Sequence, residues 1–172
     1  QDTELEQLAE QGKWNAYPEE DLNDVLRHVL VNTPEYCRLT RIIRDIPSSE
    51  ILAGNKKGNL RQIVEYSVDQ SQMKDIRSRE IKDAVVSSDE LALDVIEFET
   101  TDTTEYFLQY ILPETRKLAA FLRLSLPHSD MKAPIDELQS AAIIREVHVY
   151  GQSIDVGDRS DAAQHQGLGK SL

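Results

Sequence analysis

Cysteine is nearly missing from this sequence: Cys37 stands alone among 172 residues. A single thiol closes no internal disulfide and suits a reducing compartment, so the expected location is the cytoplasm. No His, Cys and Asp/Glu residues fall at ligand spacing, and no metal is expected. Nucleophilic triads are equally unsupported, because Cys37 has no motif around it and no Ser-His-Asp grouping can be argued. Apolar runs are short, none approaching the roughly 20 residues of a membrane span, so no membrane association is expected. The first residues lack a basic start and an apolar stretch, so no secretory leader is expected either. Positive charge is scarce as well: 19 Lys/Arg against 31 Asp/Glu give −12 at pH 7. That balance disfavours general affinity for nucleic acid, whose binding needs cations that release counterions.

What is present is ordinary for a globular chain, with 40% hydrophobic and 29% charged residues. The length allows one domain or two small ones. Charge is unevenly spread, however. Between Arg38 and Lys82 there are ten Lys/Arg against six Asp/Glu, a local surplus of +4 that leaves −16 for the rest. On composition alone this island reads as a mixed solvated surface.

Local patterns divide the chain near residue 83. Residues 4–11 pattern as a short helix stopped by Gly12. A longer helix is expected from Pro18, with Glu19, Glu20 and Asp21 complementing its dipole. Its apolar positions Leu22, Val25, Leu26, Val29 and Leu30 share one face. An extended segment runs from Tyr36 to Ile46, and Asn59 is placed to cap a helix carrying Leu60, Ile63 and Val64. From residue 91 the texture changes to strands: Leu91 to Glu99, with a phase slip at Val95-Ile96 that suggests a bulge, then Thr104 to Ile111, Lys117 to Leu126 and Ile143 to Tyr150. The expected class is α/β (α+β), a helical part followed by an antiparallel meander.

Two stretches carry possible chemistry. Gln164-His165-Gln166-Gly167-Leu168-Gly169 follows the last strand as a Gln-x-x-Gly-x-Gly loop, in which glycines would let backbone N–H groups approach a pyrophosphate. The bare pattern is equally a glycine-rich turn before a helix. On the strand itself, Val147 and Val149 share one face while Glu146, His148 and Tyr150 share the other. A carboxylate and an imidazole there suit a general base, or simply a polar strand face.

Five separated stretches occur together: Arg44-Asp45-Ile46-Pro47, Gly54 to Arg61, Arg77-Ser78-Arg79-Glu80, Arg145 to Gly151, and Gln164 to Gly169. In that order they resemble the C-terminal part of the Elongator complex protein 3 family, the tRNA uridine acetyltransferases. The resemblance covers the chain from about residue 11 onward. It implies a helical connector from a radical-SAM domain over residues 1–82, packed on that domain's barrel and facing tRNA. Residues 83–172 would then be the first half of a GNAT-like acetyltransferase domain.

By the same resemblance, acetyl-CoA would acetylate carbon 5 of a wobble uridine on the carboxymethylation pathway. Glu146, Val147, His148 and Val149 would line the acetyl-CoA channel, and Gln164, His165, Gln166, Gly167, Leu168 and Gly169 would hold the pyrophosphate. Arg38, Arg41, Arg44, Lys56, Lys57, Arg61, Arg77 and Arg79 become an RNA-facing set. No catalytic residue is assigned. S-adenosylmethionine and an iron–sulfur cluster would belong to a radical-SAM domain preceding Gln1, and a family tyrosine near the acetyl group would follow Leu172. The chain by itself is therefore expected to be inactive and to bind acetyl-CoA weakly or not at all. Sister Elongator-type subunits or a homodimer are implied partners. Many family members carry a Cys-x-Cys-x-x-Cys zinc site where this sequence has Met73, Asp75 and Ser78, so zinc is not expected. Two other readings stay open: an ordinary GNAT N-acetyltransferase with Glu146 as base, and a non-catalytic module that binds tRNA or subunits through Arg38 to Lys82.

Overall fold

The computed structural model describes residues 3–42, 46–82, 84, 86–133, 135–139, 141–151 and 167–172. The chain divides into two compact units, Gln1–Ser78 and Arg79–Leu172.

The first unit is built from short helices: α1 (Glu4–Glu10), α2 (Glu19–Asn32), α3 (Leu60–Tyr66) and α4 (Ile76–Arg79), the last carrying the chain out of it. Thr3 caps α1 by accepting from the Glu6 amide at 3.3 Å. Gly12, at φ +68°, turns the chain after it. Such a left-handed turn is inexpensive only without a Cβ. Pro18 precedes α2 and accepts the Leu22 amide at 3.1 Å, with Glu19, Glu20 and Asp21 in the first turn. A proline there has no N–H to leave unpaired.

The core of this unit is Leu30, Leu60, Val64 and Met73, with Leu22, Leu26, Leu39, Ile42 and Val68 packed against it. Val25 departs from the expected buried stripe, at 60% exposed. The seven-residue α3 covers only the narrow row Leu22, Leu26 and Leu30, and Val25 lies beside that row rather than on it. Residues 37–41 form no strand. Their backbone is held by side chains instead, as described below.

The second unit is a four-stranded antiparallel sheet in the order β1-β2-β3-β4, with β1 Ala92–Glu99, β2 Thr103–Ile111, β3 Leu118–Pro127 and β4 Ile143–Val149. Its buried apolar positions include Phe107, Ile111, Leu118, Phe121 and Leu122, of which the aromatic and β-branched residues suit a pleated surface. Central β3 is buried along Leu118–Leu122, whereas β4 is an edge strand with Glu146 and His148 exposed. One-residue bridging from Glu80 to Leu118, with the Ile81 amide donating to the Leu118 carbonyl at 3.1 Å, ties the start of the unit to β3.

The bulge expected at Val95-Ile96 is absent. β1 pairs with β2 in unbroken register from Ala92↔Ile111 to Glu99↔Thr104. Ile96 and Phe98 point one way while Leu93 and Val95 occupy the other, exposed face, so no slip is needed. Irregularities lie elsewhere, between Tyr110 and Ile111 in the β2–β3 pairing and between Arg123 and Leu124 in the β3–β4 pairing. Among the described residues no helix is long and apolar enough to cross a membrane.

Candidate functional site

Edge strand β4 is shaped by its bulge. Arg123 pairs with Glu146 while Leu124 pairs with Ile144, which leaves Arg145 as the extra residue. An inserted residue bends the strand and re-aims its neighbours. Here it lets two consecutive side chains serve one face. Arg145 Nη1 donates to Glu105 Oε2 at 3.0 Å, and Arg123 Nε donates to Glu146 Oε2 at 2.8 Å.

Glu105 is 5% exposed and also accepts from Ser125 Oγ at 2.6 Å and Thr103 Oγ1 at 2.8 Å. Burial pushes its carboxyl up, but the Ser125 and Thr103 hydroxyls and the Arg145 charge outweigh this and hold it below the usual range. Hydrogen bonds to the charged form have this effect. The bulge is therefore pinned from β2, across β3.

Along the same face an aromatic wall supports His148. Phe121 stacks on its ring at 5.9 Å with an 18° interplanar angle, and Tyr150 lies 4.4 Å away. Phe107 continues the wall 5.1 Å from Phe121, and the Arg123 guanidinium sits 5.2 Å from the Phe107 ring and 5.4 Å from Phe121. Arg123 is thus held by rings and carboxylate together.

The opposite face of β4 meets the end of the chain. Gly167 takes φ +75° ahead of the short helix α5 (Leu168–Ser171), whose Leu168 is buried. A Cβ on Gly169 would lie 3.4 Å from Val149 Cγ2 and 3.8 Å from Val147 Cγ1. The candidate acetyl-CoA residues therefore split into two groups. Val147 and Val149 adjoin Gly169, whereas Glu146 and His148 face the aromatic wall. Gln164, His165 and Gln166 lie outside the described residues.

The basic set also separates. Arg44 lies outside the described residues, and Arg38, Arg41, Lys56, Lys57 and Arg77 are exposed in the first unit. Arg41, Arg61 and Arg77 line one cavity of about 410 Å³; Lys56 and Lys57 line another of about 340 Å³. Lys57 Nζ is bonded to the Glu19 carboxylate. Two members are internal. The Arg61 side chain is 12% exposed, donating to Glu65 Oε1 at 2.6 Å and to the Leu39 carbonyl at 2.7 Å. Arg79, in the second unit, is 5% exposed and donates to Gln109 Oε1 at 2.9 Å and the Arg116 carbonyl at 3.2 Å. Their burial gives these two arginines a bracing role rather than a surface for RNA. Sequence reasoning had no signal for this, since a buried arginine and an exposed one look alike without partners.

Sequence reasoning passed over Asp75 except as a missing zinc ligand. It is 0% exposed, and its Oδ2 accepts from the Leu39 amide at 3.3 Å and the Arg77 amide at 3.1 Å. Ser78 Oγ donates to its other oxygen, and Arg61 Nη2 stands 4.0 Å away. Met73 is spent in the core. A thioether, a carboxylate supplied with donors and a hydroxyl facing that carboxylate do not fit a metal. Among the described residues no three His, Cys, Asp or Glu side chains come together.

Helices followed by an antiparallel four-stranded sheet with a bulged edge define an α+β chain of the expected class. Comparison with known proteins gives its relatives. Residues 1–70 match the model of the Radical_SAM C-terminal domain. Over 99% of its length the chain is 31% identical to the tRNA uridine(34) acetyltransferase of Methanocaldococcus jannaschii, covering 33% of that protein. It is likewise 32% identical to Elongator complex protein 3 of Drosophila melanogaster, covering 32% of it. The solved structure of Methanocaldococcus infernus Elp3 with an N-terminal deletion superposes with a TM-score of 0.81 at 28% identity, over 100% of this chain and 42% of that one. Along its whole length the chain is similar to one part of proteins of the Elongator complex protein 3 family. It spans about a third of the length of the curated relatives it matches.

Proposed function

We propose that this chain is the connector and the first half of the acetyltransferase domain of a tRNA uridine(34) acetyltransferase. The observation that carries the reading is the alignment of 99% of the chain with proteins so named, together with the match to a solved Elp3. In this reading acetyl-CoA donates the acetyl group, which ends on carbon 5 of the wobble uridine.

The geometry of β4 supports it. Acetyl-CoA carries an extended arm with two amide groups, and a strand edge that is unpaired among the described residues offers N–H and C=O groups to such a ligand. Glu146 to Val149 form that edge, held open by a bulge that Glu105 anchors through Arg145. Gly167 and Gly169 would let backbone approach the pyrophosphate, with Gln164, His165 and Gln166 contributing from outside the described residues. Radical chemistry would come from S-adenosylmethionine and an iron–sulfur cluster in the longer family members. One cysteine cannot hold such a cluster, so this stretch does not carry its full ligand set. The exposed cations Arg38, Arg41, Lys56, Lys57 and Arg77 would face tRNA in a cytoplasmic setting, with Elongator-type subunits or a second copy as further partners.

An ordinary N-acetyltransferase using Glu146 as base is less well supported. One oxygen of the Glu146 carboxylate, Oε2, already accepts from Arg123. Amide hydrogen exchange with and without acetyl-CoA, in a full-length acetyltransferase that carries this stretch, tests the proposal. The expected result is slowed exchange of the Val147 to Val149 amides with acetyl-CoA and none with acetate. Protection confined to other strands would overturn the assignment.

A further inference from the structure

We propose that the cavity in the first unit bounded by Thr40, Arg41, Asn59, Arg61, Gln62 and Arg77 is the seat of one backbone phosphate of an RNA. It deepens the tRNA-facing reading above and rests on it. The cavity, at about 410 Å³, has room for a phosphate group, and among the described residues no carboxylate lines it. Arg41 and Arg77 are exposed, and Arg77 Nη1 reaches the Thr40 carbonyl at 3.4 Å, next to Arg41. Two guanidinium forks on one concave surface match the oxygens of a phosphodiester.

Placement of the two forks is fixed from below by one carboxylate. Asp75 Oδ2 accepts from the Leu39 amide at 3.3 Å and from the Arg77 amide at 3.1 Å, so it pins both backbone segments that present these arginines. Arg61 adds a brace through the Leu39 carbonyl at 2.7 Å. Its buried Nη2 stands 4.0 Å from the Asp75 carboxylate, so Arg61 belongs to the support of the cavity.

The surroundings favour a polyanion over a free ion. A second cavity, lined by Lys56 and Lys57, shares Ile42 and Gly58 with this one. The cations thus continue past the length of a single phosphate, inside the +4 island of a chain otherwise at −16. Repeated phosphates at regular spacing use such a track, and contacts to them set position rather than sequence preference.

The test is fluorescence anisotropy of the 172-residue chain with a labelled anticodon stem-loop RNA across a salt series. Each phosphate contact adds about 0.7 to 0.9 to the slope of log affinity against log salt. Arg41→Gln and Arg77→Gln are each expected to lower that slope by about 1. Arg77→Lys keeps the charge and is expected to keep most of the slope. Lys132→Gln, an exposed lysine outside the first unit, is expected to leave it unchanged. Unchanged slopes in both arginine-to-glutamine variants overturn the phosphate seat while the tRNA-facing reading stands. Absence of RNA binding by the parent chain removes both. Saturable binding of inorganic phosphate that needs Arg41 and Arg77, with RNA slopes unaltered, makes the cavity a small-anion site and overturns the RNA assignment.

Discussion

A carboxylate that accepts from two hydroxyls and an arginine behaves differently from one in water, and Glu105 is such a group. Its pKa lies below the ordinary value in the folded chain, because hydrogen bonds from Ser125 and Thr103 and the Arg145 charge exceed the opposing effect of burial. The ordinary glutamate value is about 4.3. As pH falls through that range the unfolded chain takes up a proton before the folded one does, so stability is lost below roughly pH 5, until the folded group protonates as well. Glu105→Gln keeps the shape but removes the charge. It is expected to cost about 1–3 kcal/mol at neutral pH, and to make the melting temperature fall less steeply between about pH 5 and 3. Thermal melts of both proteins across that range decide the matter. Parallel acid limbs would mean that Glu105 is not the group responsible.

At the scale of the element, β4 shows both what a period-2 pattern reveals and what it hides. Val147 and Val149 alternate with Glu146 and His148 as the sequence suggested, because branched apolar and polar residues segregate cleanly in that stretch. The extra residue at Arg145 left no comparable mark. A bulge is set by where the partner strand's side chains lie, and the partners Glu105 and Arg123 are distant in sequence. The opposite error occurred in β1. Apolar residues on both faces there, Leu93 and Val95 against Ile96 and Phe98, imitate a slip that the unbroken register does not contain. Asp75 was hidden for a similar reason, since its donors come from Leu39, Arg61 and Ser78, as much as 36 residues away. The bulge also carries a prediction. Deleting Arg145 would join Ile144 to Glu146, which already stand opposite the adjacent residues Leu124 and Arg123, and so would straighten the ladder while leaving both on their present faces. Amide exchange along β4 is expected to rise by about fivefold, as much as in Arg145→Ala, because both variants lose the bond to Glu105. Arg145→Ala keeps the backbone register, and because Arg145 is 56% exposed its ion pair is worth only about 1 kcal/mol. If the deletion raises exchange well beyond the alanine variant, the bulge itself holds β4 and not only the Arg145–Glu105 bond.

For the molecule as a whole, the distribution of charge sets how strongly RNA can be held. A chain at −12 repels a polyanion at long range, but at about 0.1 M salt charges more than about 10 Å apart are largely screened. Only the local island then matters. Five of its predicted contact residues are exposed, namely Arg38, Arg41, Lys56, Lys57 and Arg77. Lys57 is already bonded to Glu19, and Arg61 and Arg79 are internal. Counting Arg41, Lys56 and Arg77 as about three effective cations at about 0.7 each predicts a slope near −2 between about 50 and 200 mM salt for a single-stranded target. That is a shallow dependence, suited to a surface that positions a substrate rather than one that supplies all of its affinity. A slope near zero would mean that these cations do not meet phosphates. A slope much steeper than about −5 would require cations beyond those exposed on the first unit, and would show that the island alone does not form the RNA surface.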